Sequence, residues 1–528
     1  MSAFPPGAFF PSPPQASNAG VDFLALGAVG ERLIAHSLPG ITNVTRYLRP
    51  YSVASWITWK FDAELKKLSG QRLPMNERAL FKQFREKSEL MFSWANKGTA
   101  GSIGSRRTYP EDAKPVELRF GNPALGAENN ASWFAAAAYR PSFSDTGGLG
   151  FIAAHKGVYV PTDLGREMAK HLDAVLLAHK TSYSRLSDLN ELELSRRDVD
   201  ALMDGLALEL PTTAERKLFK RILYPEHLVG QIDGLHGNRA TSMTLMIRSI
   251  DAAEALNEQE IRQTMALGLT PSGTPVLLDN VISVHKVWFV LAMRQLQRVS
   301  LERLLRWFEL TVAENDMSWC DLGVVQNAAV TQLITENPDA RVTSVGDHIA
   351  KIQSAITRGG GPKQVMLKEP SLNAFVLRDE FEIQTRTDHL SIPARAVYCL
   401  LYCAALTSLV CDDEEIAALC RMGGRERIGL DWFAKYVFDR QSQSLTEFIR
   451  DAIRDLIYGQ HLQVAATRIE EGKNKFRFAV DDSGLRLLIG PESINRQLGT
   501  PDRIFSTLCL MADCGITTLQ PNGKFCIS

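Results

Sequence analysis

The sequence predicts a mainly α-helical, multi-domain protein that carries small β-hairpins and winged-helix-like modules. Three observations lead there. Apolar side chains recur every three or four residues over long stretches, which puts them on one face of a helix. The clearest case follows Pro39-Gly40, where Val53, Trp56, Ile57, Phe61, Leu65 and Leu68 share one side. The period drops to two in short pieces near Phe151, Phe476 and Ile516, which read as hairpin strands. The chain has 528 residues, 45% of them apolar, enough for about three domains that each bury a core.

In order along the chain, the stretch 1–22 is rich in Pro, Ser and Gly and reads as a disordered arm. It lacks the basic start and apolar core of a secretory signal. An N-terminal helical domain is expected over 23–184, a helical middle domain over 185–370 and a C-terminal helical domain over 371–528. Helices are predicted from Gly27 to Leu38, from Pro50 onward and from about Asn76 to Trp94. Pro50 suits a first helical turn, where its missing N–H costs nothing.

Within 131–180 a short helix (Trp133 to Tyr139) precedes two β-prone pieces, Phe151-Ile152-Ala153 and Val158-Tyr159-Val160. Thr162 then caps a helix through Leu164, Met168, Leu172 and Leu176. Helix, hairpin and capped helix resemble the back half of a winged-helix module, with His155 and Lys156 at the wing tip. Thr212-Thr213 caps Ala214 to Leu223, and Val284 to Val312 has near-continuous helical periodicity. Gly359-Gly360-Gly361-Pro362 breaks the pattern as a turn or linker.

In the last third, Ala396 to Cys411 is an apolar run shorter than the roughly 20 residues that span a bilayer, so it reads as a buried core helix. A helix from Leu445 to Arg468 precedes a hairpin in which Phe476, Phe478 and Val480 alternate with Lys475 and Arg477. That alternation predicts one aromatic and one basic face. The helix from Arg503 to Cys514, closed by Gly515, leads to a terminal hairpin, a second wing-like unit.

The 59 basic and 60 acidic residues nearly cancel, so contact with a polyanion must come from local patches. The candidates are Arg46 and Arg49 beside Tyr47 and Tyr51, Arg106 and Arg107 after a Gly-rich loop, Lys156 at the first wing tip, and Lys473, Lys475 and Arg477 on the later hairpin. Arginine beside tyrosine suits phosphates and stacked bases. It equally suits a helix that anchors a loop through buried hydrogen bonds.

No local enzyme signature stands out. The Gly-rich loop 98–105 has no preceding strand and no closing Gly-Lys-Ser/Thr, so it is not a P-loop. The ten histidines do not pair at ligand spacing, and the eight cysteines form no C-x-x-C. No metal and no cofactor are expected. The cysteine usage fits reduced thiols in a cytoplasm.

The run Leu38 to Trp59 is similar to the opening of bacterial proteins encoded near DNA-modification or anti-phage genes. These share a Leu-Pro-Gly turn, an Arg-Tyr pair and an aromatic helix. Gln463 to Ser528, with its Lys-Phe-Arg-Phe strand and terminal wing, has the same flavour. The resemblance implies a component of a bacterial defence or DNA-processing complex and brings no catalytic residues. The resulting expectation is a non-catalytic cytoplasmic component that binds DNA and other subunits and no membrane. A pure protein–protein scaffold and a nuclease or nucleotide-using enzyme with a dispersed site are the alternatives.

Overall fold

Pro50 lies in the first turn of the Arg49–Lys67 helix, which buries Tyr51, Val53, Trp56, Ile57 and Phe61. The computed structural model describes residues 22–44, 46–68, 75–97, 115–125, 139–155, 158–232, 234–314, 320–364, 392–468, 476–482, 484–490, 494 and 502–528. The chain is mainly helical, with small antiparallel two-stranded sheets. The described residues fall into two compact units. One lies within Met1–Leu33, Gln263–Leu278 and Ile282–Pro501, the other within Ile34–Arg262, Asp279–Val281 and Asp502–Ser528. Both are knit from distant segments, unlike the consecutive blocks 23–184, 185–370 and 371–528 read from the sequence.

In the second of these units, Arg49–Lys67 packs against the helices Asp163–Leu176 and Glu77–Ala95 and against the hairpin Ile152–His155/Val158–Pro161. Tyr51, fully buried, fills the centre, with its ring 4.8 Å from Phe219, 4.9 Å from Phe143 and 5.6 Å from Phe151. Aromatic pairs at such spacings add roughly 1 kcal/mol each to their area burial. Trp56 finds a partner for its indole N–H in Asp173, at 2.8 Å. The hairpin pairs Ile152 with Pro161 and His155 with Val158. The segment Asp502–Ser528 supplies the helix Ile504–Asp513 and the terminal hairpin Thr517–Leu519/Phe525–Ile527. Phe525 exchanges backbone hydrogen bonds with Leu256.

In the other unit, the 33-residue helix Ile282–Glu314 is the axis. It packs on Ile392–Val410, which in turn packs on Val345–Arg358 and Leu430–Phe438. Among the described residues Ile392–Val410 is the one helix long and apolar enough to cross a membrane, and 72% of its apolar window is buried within the protein. The predicted helix from Leu445 to Arg468 is present as Leu445–Ala452, a π-helical stretch Ile453–Gly459, and Gln460–Thr467. The hairpin beyond it pairs Phe478–Asp481 with Gly484–Leu487. Its expected basic face is not seen at Arg477, which is 2% exposed, as buried as Phe478 on the other side.

Candidate nucleic-acid interface

Of the eight cations singled out in the sequence, Arg106, Arg107, Lys156, Lys473 and Lys475 lie outside the described residues. Arg46 stacks over the Phe505 ring at 4.9 Å and is half-buried. Arg49 is fully buried, with Nη1 2.8 Å from Glu215 and its remaining donors on the carbonyls of Ala207 and Leu210. Arg477 is paired through both arms of its guanidinium with Glu309, which is fully buried, and its charge sits 4.2 Å from the centre of the Phe23 ring. Reading Arg49 and Arg477 as phosphate contacts is therefore corrected. An arginine that has lost its water and gained a carboxylate is an internal anchor, and pulling it out would strand a buried charge.

The Arg49–Glu215 pair does set up a different basic surface. Glu215 is the third residue of the Thr213–Leu223 helix, and its carboxylate also accepts the backbone N–H of Thr212 at 2.7 Å. The Thr212 hydroxyl accepts from Glu215 N in return, a capping box that fixes where the helix begins. From that start the pattern is amphipathic. Leu218, Phe219, Ile222 and Leu223 are buried, while Lys217 and Arg221 are exposed and Arg216 and Lys220 half-exposed.

Alongside runs Asp163–Leu176, capped by Thr162 at 3.1 Å from Gly165 N. It buries Gly165, Met168, Ala169, Leu172 and Leu176 and exposes Asp163, Arg166, Glu167 and Lys170. Arg221 and Glu167, 3.2 Å apart and both well exposed, join the two helices at the surface. Arg166 and Asp163 are 3.6 Å apart. Exposed pairs of this kind contribute at most about 1 kcal/mol, so both arginines can turn to another anion. Lys170, Lys217 and Lys220 have no ion-pair partner among the described residues. Exposed Arg166, Lys170, Lys217 and Arg221 thus stand against Asp163 and Glu167, with Arg216 and Lys220 adding to the positive side.

Arg216 and Arg49 also act electrostatically on Asp513, whose carboxylate accepts the Leu48 N–H at 2.8 Å. Burial pushes its pKa up to about 6, although Arg216 and Arg49 pull it down. None of the exposed side chains on the two basic helices is aromatic, so the face offers charge without a stacking platform.

The sequence did carry a signal for this face. Arg216-Lys217 and Lys220-Arg221 recur one turn apart in a segment already marked as a capped helix. What the sequence does not display is that a second helix, some 50 positions earlier, lies beside it. Among the described residues no group of His, Cys, Asp and Glu could hold a metal ion, and all eight cysteines are free. Comparison of the chain with family models, with curated proteins and with solved structures gives no match.

Proposed function

We propose that the chain is a non-catalytic, nucleic-acid-binding component of a bacterial anti-phage defence or DNA-processing complex. The single observation that carries the binding role is the positive charge of Lys170, Lys217 and Lys220 on the helices Asp163–Leu176 and Thr213–Leu223, which has no ion-pair partner among the described residues. Phosphate contacts by such lysines and arginines hold a backbone without reading its bases. The absence of exposed aromatic rings on these helices favours a duplex over an unstacked single strand. The winged-helix-like reading enters here as well. Ile152–His155 and Val158–Pro161 lead through the Thr162 cap into the helix that bears Arg166 and Lys170. His155 is exposed at the hairpin end, where a wing would meet a phosphate. The assignment to a defence or DNA-processing complex rests on the likeness of Leu38–Trp59 and Gln463–Ser528 to bacterial proteins of that setting.

The test is binding of the purified chain to a labelled duplex of arbitrary sequence. Binding is expected to weaken steeply with salt, because each neutralised phosphate releases counterions. Lys170→Glu combined with Lys217→Glu is expected to abolish it without changing the thermal midpoint. If the double variant binds as the parent does, or if no binding occurs at low salt, the nucleic-acid role fails and the scaffold reading takes its place.

A further inference from the structure

The Gly359-Gly360-Gly361-Pro362 turn has a role of its own. Gly360 and Gly361 adopt φ values of +96° and +101°, which L side chains rarely adopt, and they lead directly into Lys363. Lys363 Nζ lies 2.6 Å from His285 Nε2 in the axial helix Ile282–Glu314, and 5.8 Å from the centre of the Phe289 ring. The other imidazole nitrogen, Nδ1, lies 2.8 Å from the carbonyl oxygen of Met265. A carbonyl can only accept, so Nδ1 carries the ring proton and Nε2 presents its lone pair to the amine.

The imidazole is 1% exposed, and burial holds its pKa down to about 4, so it stays neutral. Among the described residues no carboxylate reaches ion-pair distance of Lys363. Burial, with help from the Lys286 charge and against a weaker pull from Asp413, lowers the amine below the usual lysine range. Lys286, the next residue after His285, is the opposite case. Asp413 at 2.7 Å and Glu415 at 3.1 Å hold it as a cation and raise its pKa.

We propose that Lys363 is a nucleophilic amine and an acylation site, taking an acyl group from a small activated donor, either an acyl phosphate or a thioester. The neutral amine adds to the carbonyl carbon, an N–C bond forms, and the C–O bond to phosphate or the C–S bond to the thiol breaks. The departing phosphate or thiolate keeps the electron pair. The proton lost from Nζ passes to His285 Nε2 and on to water, so no oxidant or further reactant is needed. Lys363 remains half-exposed, which leaves a path for a small donor.

The experiment uses the intact chain, incubated in separate arms with acetyl phosphate and with acetyl-coenzyme A, with occupancy at each lysine followed in time by peptide mass spectrometry. At pH 7 Lys363 is expected to be acylated several-fold faster than exposed Lys217, and Lys286 slowest of the three. The lead of Lys363 should shrink by pH 9, where ordinary amines lose more of their protons, and it should vanish in urea. A lead in one arm alone names the donor. Equal rates at Lys363 and Lys217 in both arms, or a ranking that survives unfolding, would overturn the assignment.

Discussion

At the scale of single residues, the decisive distinction is between cations that face water and cations that face a carboxylate. Arg477 and Glu309 form a pair with almost no exposure. Glu309→Gln keeps the shape but leaves a guanidinium buried without its counter-ion, and should lower stability by about 3 kcal/mol, measured as a shift in the urea midpoint. The same change should leave duplex binding untouched. Asp513 makes an opposite kind of prediction. Its folded pKa, about 6, stands above the ordinary 3.8 because burial disfavours the ion. The fold therefore binds that proton more tightly than the unfolded chain does. The resulting stability is complete below the ordinary pKa and is lost as pH rises through about 6. Asp513→Asn keeps an acceptor for Leu48 N–H and removes the charge. It should be more stable than the parent at pH 7, by on the order of 1 kcal/mol, and the two should converge below pH 4. A constant difference across that range in denaturant titrations would contradict the assignment. Neither Arg477 nor Arg49 could be sorted by its neighbours in sequence. Glu309 is 168 positions from Arg477, and Glu215 is 166 from Arg49, so no local window shows that these arginines are already engaged.

At the scale of elements, what was legible is what local chemistry decides. The Pro50 helix, the Thr162 and Thr212 caps and the hairpins at Ile152, Phe478 and Thr517 all follow from spacing, caps and turns that need no distant partner. The placing of one element on another was not legible, and the candidate interface lives at that level. Gly165 shows the constraint. A Cβ there would sit 2.0 Å from the carbonyl oxygen of Phe151, in the strand approach that the Asp163–Leu176 helix covers. Gly165→Ala must push the helix off the hairpin. A loss of about 3 kcal/mol is expected in thermal or urea unfolding, the upper end for an overpacked core. Because that helix carries Arg166 and Lys170, duplex affinity should fall with it, although no cation has been removed. A variant as stable as the parent would mean the contact is looser than described.

At the scale of the molecule, a formal net charge of −1 leaves no general attraction for a polyanion, so any grip must be local. The sequence places positive charge at loop edges and hairpin tips. Among the described residues two of those predicted contacts hold the interior together, and exposed lysines and arginines also stand on the outer sides of two neighbouring helices. The two compact units are each assembled from distant segments, a pattern that no boundary signal in the sequence announces. The most direct test of this account is the salt dependence of duplex binding by the parent and by the triple variant Lys170→Ala, Lys217→Ala, Arg221→Ala. Each phosphate contact contributes about 0.9 to the slope of log affinity against log salt, so the variant's slope should be smaller by about 2.7. An unchanged slope would contradict the claim that these helices hold nucleic acid.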